Sequence, residues 1–282
     1  MFTGFSPEAI DFLWGIRFNN EKSWFEAHKA QYLAALYNPM KELARAVSEP
    51  FSEIPGMVCK VSRIYRDARR IYNGRPYKES LWFCLREDRQ NWGELPSLFF
   101  EIAPEGYSYG FLMWSPKAET MQAFRTRLED KPEAFLKIVK ETERKTGIEV
   151  TGGEYYRKKV CANPDIAHYY NLKNISAYVE KPADELLFQP ALAETVRTTL
   201  LDLLPLYEYC IKRERFLRSL LQIVLLFNFP ALICNYRSRN HDAPCNHEQP
   251  QVRRYILNVS RPWGRCGLRA VRRGVYRVYA AV

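Results

Sequence analysis

The sequence is poor in familiar catalytic patterns. It lacks a Walker loop, an HExxH helix and a GxGxxG turn, so the usual phosphate cradle, paired zinc histidines and dinucleotide turn have no counterpart. No serine or cysteine stands out beside a base that would activate it. Its 7 cysteines include no CxxC pair, and an odd number scattered over a long chain does not read as a disulfide framework. The opening stretch MFTGFSPEAIDFL has no basic segment and carries Glu8 and Asp11, unlike a secretory signal. Nor is there an apolar run of the roughly 20 residues needed to cross a bilayer. The expectation is a reducing, cytoplasmic setting and no cofactor.

Lysine disappears after Lys212. Residues 213–282 hold thirteen arginines against three acids and so carry the whole net charge of +10, leaving residues 1–212 with as many acids as bases. A balanced domain lacks the basic field that supplies most non-specific affinity for nucleic acid, so nucleic acid is not an expected partner of 1–212. The change in composition marks a boundary. Residues 1–212 read as a single α+β domain, and 213–282 as an arginine-rich tail that is non-native (a readthrough or shifted-frame C terminus) or poorly ordered. In the tail, the run Ser219 to Cys234 contains Gln222, Asn228 and Pro230 and is bracketed by arginines. That suits an interfacial or buried helix better than a span; membrane contact through 219–234 is the lesser reading. Cys234, His241, Cys245, His247 and Cys266 are zinc-type ligands, but the HxxxCxH spacing without a CxxC knuckle is a weak metal pattern.

What the chain does hold is a hydrophobic content of 47%, enough for an ordinary core. Ser6-Pro7 opens a helix, with Ser as cap and Pro in the first turn. Asn20 is placed to cap a second helix carrying Trp24, His28 and Tyr32, and Asn38-Pro39 to restart a third. From Val58 the period turns extended: Val58 to Tyr65, Leu81 to Leu85, Ser97 to Ile102 and Tyr109 to Trp114 are short, aromatic and β-branched, with turn residues between. These predict an antiparallel sheet of about four or more strands, with helices before and after it. Pro116 to Leu128, Lys131 to Thr146 and a long helix from Pro190 to Tyr209, bent at Pro205, follow. Between them, Glu154 to Val160 reads as a solvated basic strand and the run through Tyr178 as extended. Cys59 and Cys84, on strands, read as inert core thiols.

One stretch asks for a ligand. Arg63 to Ser80, RIYRDARRIYNGRPYKES, sets five arginines, Lys78 and three tyrosines within eighteen residues. Planar guanidinium forks match the oxygens of phosphate or carboxylate two at a time, and Asp67 would orient one of them as an internal counter-ion. Asn73-Gly74-Arg75-Pro76 supplies a bend. The competing reading is a charged edge whose arginines pair with Glu79, Glu87 and Asp88.

The run RxxRDxR followed by a short loop and PYK resembles the signature of the bacterial family DUF2461, a domain of unknown function. Arg63, Arg66, Asp67, Arg69 and Tyr77 fall on it. Asn19-Asn20 with Trp24-Phe25, Gly110-Phe111-Leu112 before Pro116, and Leu204-Pro205-Leu206 are similar too, so the likeness covers roughly residues 5–210. Arg70 stands where the family usually has Phe, and Gly74 where it usually has Lys. The resemblance implies a single α+β domain in a bacterial cytosol and no established activity.

The leading expectation is binding of a small phosphorylated or carboxylated ligand through Arg63, Arg66, Arg69, Arg75 and Lys78, with Tyr77 and Trp82 as a wall. The first alternative is phosphoryl or acyl chemistry in which the arginines stabilise developing charge and Asp67 or Tyr77 moves a proton. The second is polyanion or membrane-surface binding through the tail.

Overall fold

The computed structural model describes residues 1–211, apart from 68, 70, 72, 73 and 89–91. The tail lies outside the described residues, with its run 219–234 and with Cys234, His241, Cys245, His247 and Cys266.

Three helical segments come first. Helix α1 (Pro7–Phe18) starts at Pro7, whose missing N–H has no helical partner to lose there, and buries Ala9, Phe12, Leu13 and Ile16. Helix α2 (Lys22–Gln31) is preceded by Glu21, so Asn20 is not its cap. The third helix begins at Asn38 as expected, but no break precedes it. The chain runs on through a π-helical turn, Tyr32–Tyr37, into α3 (Asn38–Ser48), with the Asn38 N–H reaching back to the Leu33 carbonyl. The wider i→i+5 turn accommodates Pro39 without breaking the rod.

The sheet has five antiparallel strands in chain order: β1 (Met57–Val61), β2 (Leu81–Glu87), β3 (Ser97–Ala103), β4 (Gly106–Met113) and β5 (Ile175–Pro182). Alternation sorts most side chains by face, although Cys84 and Arg86 of β2, on the other face, are buried too. Leu81, Phe83 and Leu85 of β2, Leu98, Phe100 and Ile102 of β3, and Tyr107, Tyr109, Phe111 and Met113 of β4 are all buried on one face. Helix α3 packs there against β1 and β2, and α7 (Ala191–Asp202) against β3 and β4. The other face presents Trp82, Phe99, Glu101, Ser108, Leu112, Tyr178 and Glu180, all half-buried or exposed. Gly110 (φ 153°) lies opposite Tyr178, where an added Cβ would sit 2.4 Å from the Ala177 carbonyl oxygen. Only glycine lets β5 close on β4 there.

Helices α4 (Ala118–Asp130) and α5 (Pro132–Thr146) follow β4, and Gly147 ends α5 in the left-handed region (φ 68°). Arg125 of α4 is a buried cation held by carbonyls and rings: it donates to the Tyr170 and Leu172 carbonyls at 2.8 and 3.2 Å and lies over Tyr155 and Tyr170. This fixes the short α6 (Ala167–Tyr170) before β5. Glu154 to Val160 is solvated as expected, but only Glu154 pairs, in a single bridge to Leu172, and Tyr156 and Val160 are almost wholly exposed. The expected long C-terminal helix breaks at Leu203 into α7 and α8 (Leu204–Ile211), with Pro205 in the first turn of α8. Among the described residues, no helix is long and apolar enough to cross a membrane, no group of three His, Cys, Asp or Glu could hold a metal, and Cys59, Cys84, Cys161 and Cys210 are free thiols.

Candidate functional site

The arginine-rich stretch is the hairpin connection from β1 to β2. Its ladder continues past the strand ends, with Ser62 N–H donating to Trp82 O, Lys78 N–H to Ile64 O and Arg66 N–H to Pro76 O. Val61 stands opposite Phe83 and Tyr65 opposite Tyr77, so residues 62–64 face the longer run 78–82. Such a mismatch bends the longer strand and re-aims its side chains; Lys78, Glu79 and Ser80 are the residues turned into a cleft. The hairpin is held from outside by Asn20. Its side-chain amide donates to the Tyr77 carbonyl at 3.1 Å, and its oxygen accepts the Tyr77 N–H at 2.9 Å, both buried.

The cleft encloses about 760 Å³ between the hairpin, the C-terminal end of α1, the β3–β4 turn and the end of β5. Arg17, Arg66, Lys78 and Lys181 line it with Glu79, Glu101, Glu105 and Glu180. Glu79 is a hub, accepting Arg17 Nε at 2.8 Å and Arg75 Nη1 at 3.1 Å, with Arg66 Nη2 at 3.9 Å. Arg17 also grips Glu105, which holds that carboxyl below its ordinary range and pushes the guanidinium up. Arg66 Nε donates to the Tyr77 carbonyl at 2.7 Å. Ser80 Oγ donates to Glu101 at 2.6 Å.

Lys78 differs from these paired groups. Its Nζ donates to the Arg63 carbonyl at 2.7 Å and lies 5.3 Å from the Trp82 ring centroid. Burial, then the charges of Arg63 and Arg66, lower its pKa, and Glu101 opposes them. The charges of Arg63 and Arg66 thus bear on Lys78 while Arg66 keeps its own contact with Glu79; the exposed Arg63 guanidinium has no ion pair among the described residues.

Of the residues singled out from sequence, the structure brings Arg66 and Lys78 to the cleft wall. Arg75 braces it through Glu79 and the Arg17 carbonyl, and Arg63 does not line it but accepts the Lys78 ammonium at its backbone carbonyl. Arg69 is exposed and clamped to Asp67 through Nε and Nη2; neither lines the cleft. Tyr77 is 2% exposed and its ring stacks on Phe25 at 4.4 Å, where burial raises the phenol pKa. Trp82 lines a neighbouring hollow instead. The expected counter-ions are partly different: Glu79 serves as foreseen, whereas Asp88 pairs with Lys60 at 3.8 Å. Burial raises both strand thiols, Cys59 to about 11, so neither is a thiolate near neutrality.

Sequence reasoning missed Arg17, a lone arginine in the last turn of an ordinary helix, and Ser108 with Glu101 and Glu180. A signal for Ser108 existed: Gly106-Tyr107-Ser108-Tyr109-Gly110 has GxSxG spacing. That string runs along β4 with Ser108 between Glu101 and Glu180 in register, whereas a nucleophile elbow needs a sharp strand-to-helix turn.

The family model described as a conserved hypothetical protein, DUF2461, matches residues 8–209. The chain belongs to DUF2461. The match begins inside α1 and ends inside α8, so this DUF2461 domain includes the helix that supplies Arg17 and every strand of the sheet. No curated protein matches the chain.

Proposed function

We propose that this DUF2461 protein binds a small phosphorylated or carboxylated ligand at the Arg66–Lys78 end of the cleft. The observation that carries the reading is that Arg66 and Lys78 share one cleft wall, where burial first, and then the charges of Arg63 and Arg66, disfavour the Lys78 ammonium. An anion there would relieve that cost, and the remaining donors of Arg66 and Lys78 would supply charge-assisted hydrogen bonds. Arg17 and Arg75, tied to Glu79, keep the wall fixed rather than contact the ligand. Proton transfer by Asp67 or Tyr77 gains no support from this geometry, since Asp67 is engaged with Arg69 and the Tyr77 ring faces the core.

Calorimetric titration with inorganic phosphate, citrate and acetate tests the reading. Arg66→Ala and Lys78→Gln should each weaken binding of the preferred anion by about 10-fold or more, the value of a charged hydrogen bond, with little change in melting temperature. Unchanged affinity in both variants, or no binding by the parent, sinks it. Unfolding of Arg66→Ala with normal binding by Lys78→Gln would make the arginines structural.

A further inference from the structure

A second hollow, of about 290 Å³, opens beside the cleft on the same face of the sheet, lined by Trp82, Phe99, Leu112 and Trp114 among others. Glu101 belongs to the walls of both. Trp82 lies directly opposite Glu101 across the β2–β3 ladder, and Phe99 is two residues back along β3, a step of roughly 7 Å. The two hollows therefore adjoin at Glu101: Arg66 and Lys78 among carboxylates on one side, and aromatic and aliphatic side chains on the other. Trp114 stands at the far rim with 69% of its surface exposed. A large exposed indole beside an apolar depression is costly to leave in water and well suited to stacking on a flat ligand group.

We infer that the ligand of this site is a phosphate ester of nucleoside monophosphate type, an inference that rests on the anion-binding reading above. Its phosphate meets Arg66 and Lys78. Its sugar hydroxyls cross Glu101, where one carboxylate oxygen accepts from Ser80 and the other is left to accept from the ligand. Its base enters the hollow against Trp114, Phe99 and Leu112. Charge order favours this occupant over a simple hydrophobic one: the cations next to the hollow require an acidic group one short spacer from the ring. It also favours a mononucleotide over a polynucleotide, because four carboxylates share the cleft with the cations and would repel a continuous phosphate backbone.

The test uses the full chain titrated with inorganic phosphate, ribose 5-phosphate and adenosine 5′-monophosphate, followed by calorimetry and tryptophan fluorescence. The nucleotide should bind about 10-fold more tightly than ribose 5-phosphate, the value of one stacked base, and should change the fluorescence. In Trp114→Ala, and separately in Phe99→Ser, the ratio between those two probes should fall towards one. Equal affinity for the nucleotide and ribose 5-phosphate in the parent overturns this inference and leaves the anion site standing. A nucleotide advantage that survives both variants places the base elsewhere and also overturns it. Failure of all three probes to bind removes the phosphate reading itself.

Discussion

Asn20 uses both ends of its amide on the backbone of Tyr77, and no other side chain fastens the helical layer to the hairpin in this two-way manner among the described residues. Arg66 also donates to the Tyr77 carbonyl, so truncating Asn20 strands chiefly the buried N–H. Asn20→Ala should cost about 1–3 kcal/mol in urea unfolding, the penalty for an unsatisfied buried donor, and should weaken anion binding as Lys78 loses its fixed position; a loss near zero would mean the hairpin holds without the clamp. Lys78 offers a pH test. Its pKa lies below the ordinary 10.5, so as pH rises through that lowered value the site loses a cation before a normal lysine would. Phosphate affinity should therefore decline at alkaline pH in the parent and hold to higher pH in Lys78→Arg, whose guanidinium stays charged. Superimposable affinity profiles would rule Lys78 out as the titrating group.

At the scale of elements, α8 carries a group whose burial opposes its charge. Glu208 sits against Ile54, Met57, Leu204 and Ile211, and burial raises its carboxyl to about 7. A carboxyl raised on folding contributes stability that is complete below the unfolded value, near 4.5, and is lost as pH rises through about 7. Thermal unfolding of Glu208→Gln should therefore show the greater advantage over the parent at pH 8 and none at pH 4.5; parallel curves would refute the shift. Arg125 gives an element-level test of another kind: Arg125→Met should leave the Tyr170 and Leu172 carbonyls without their donor and speed amide exchange around α6 while sparing the sheet.

These elements also show what a sequence can and cannot disclose. Strands β1 to β4 were readable because each is a run of five to eight residues rich in aromatic and β-branched side chains between turn formers, with strict alternation only in β3, and these are local properties. The join of α2 to α3 was not, because Asn38-Pro39 signals a break that the π turn absorbs. The broken helix at Leu203 was half readable: Pro205 marked a bend, but its place in a new first turn depends on packing. Within the site, the arginine cluster was visible as composition. The partition that sends Arg66 and Lys78 inward while Arg69 folds onto Asp67 depends on the hairpin mismatch, and Arg17 reaches Glu79 across 62 positions of chain.

For the whole molecule, the uneven charge leads to a separation of roles. The match to DUF2461 ends at residue 209, just before the composition changes. A chain ending at Lys212 should unfold cooperatively, bind phosphate as the full chain does, and lose retention on a heparin column, because the charge excess resides beyond it. Loss of cooperative unfolding in the shortened chain would show that the tail belongs to the fold.

The unequal arms of the hairpin have one more consequence. Residues 78–82 are two longer than the segment they face, and that spare length is what turns an otherwise flush ribbon into a receptacle. Excising two residues there would let the arms match, preserve the five-stranded order and erase the pocket wall. The fold would therefore tolerate an indel at this place that the cleft would not, and a chain so shortened would remain a sound scaffold without its hollow.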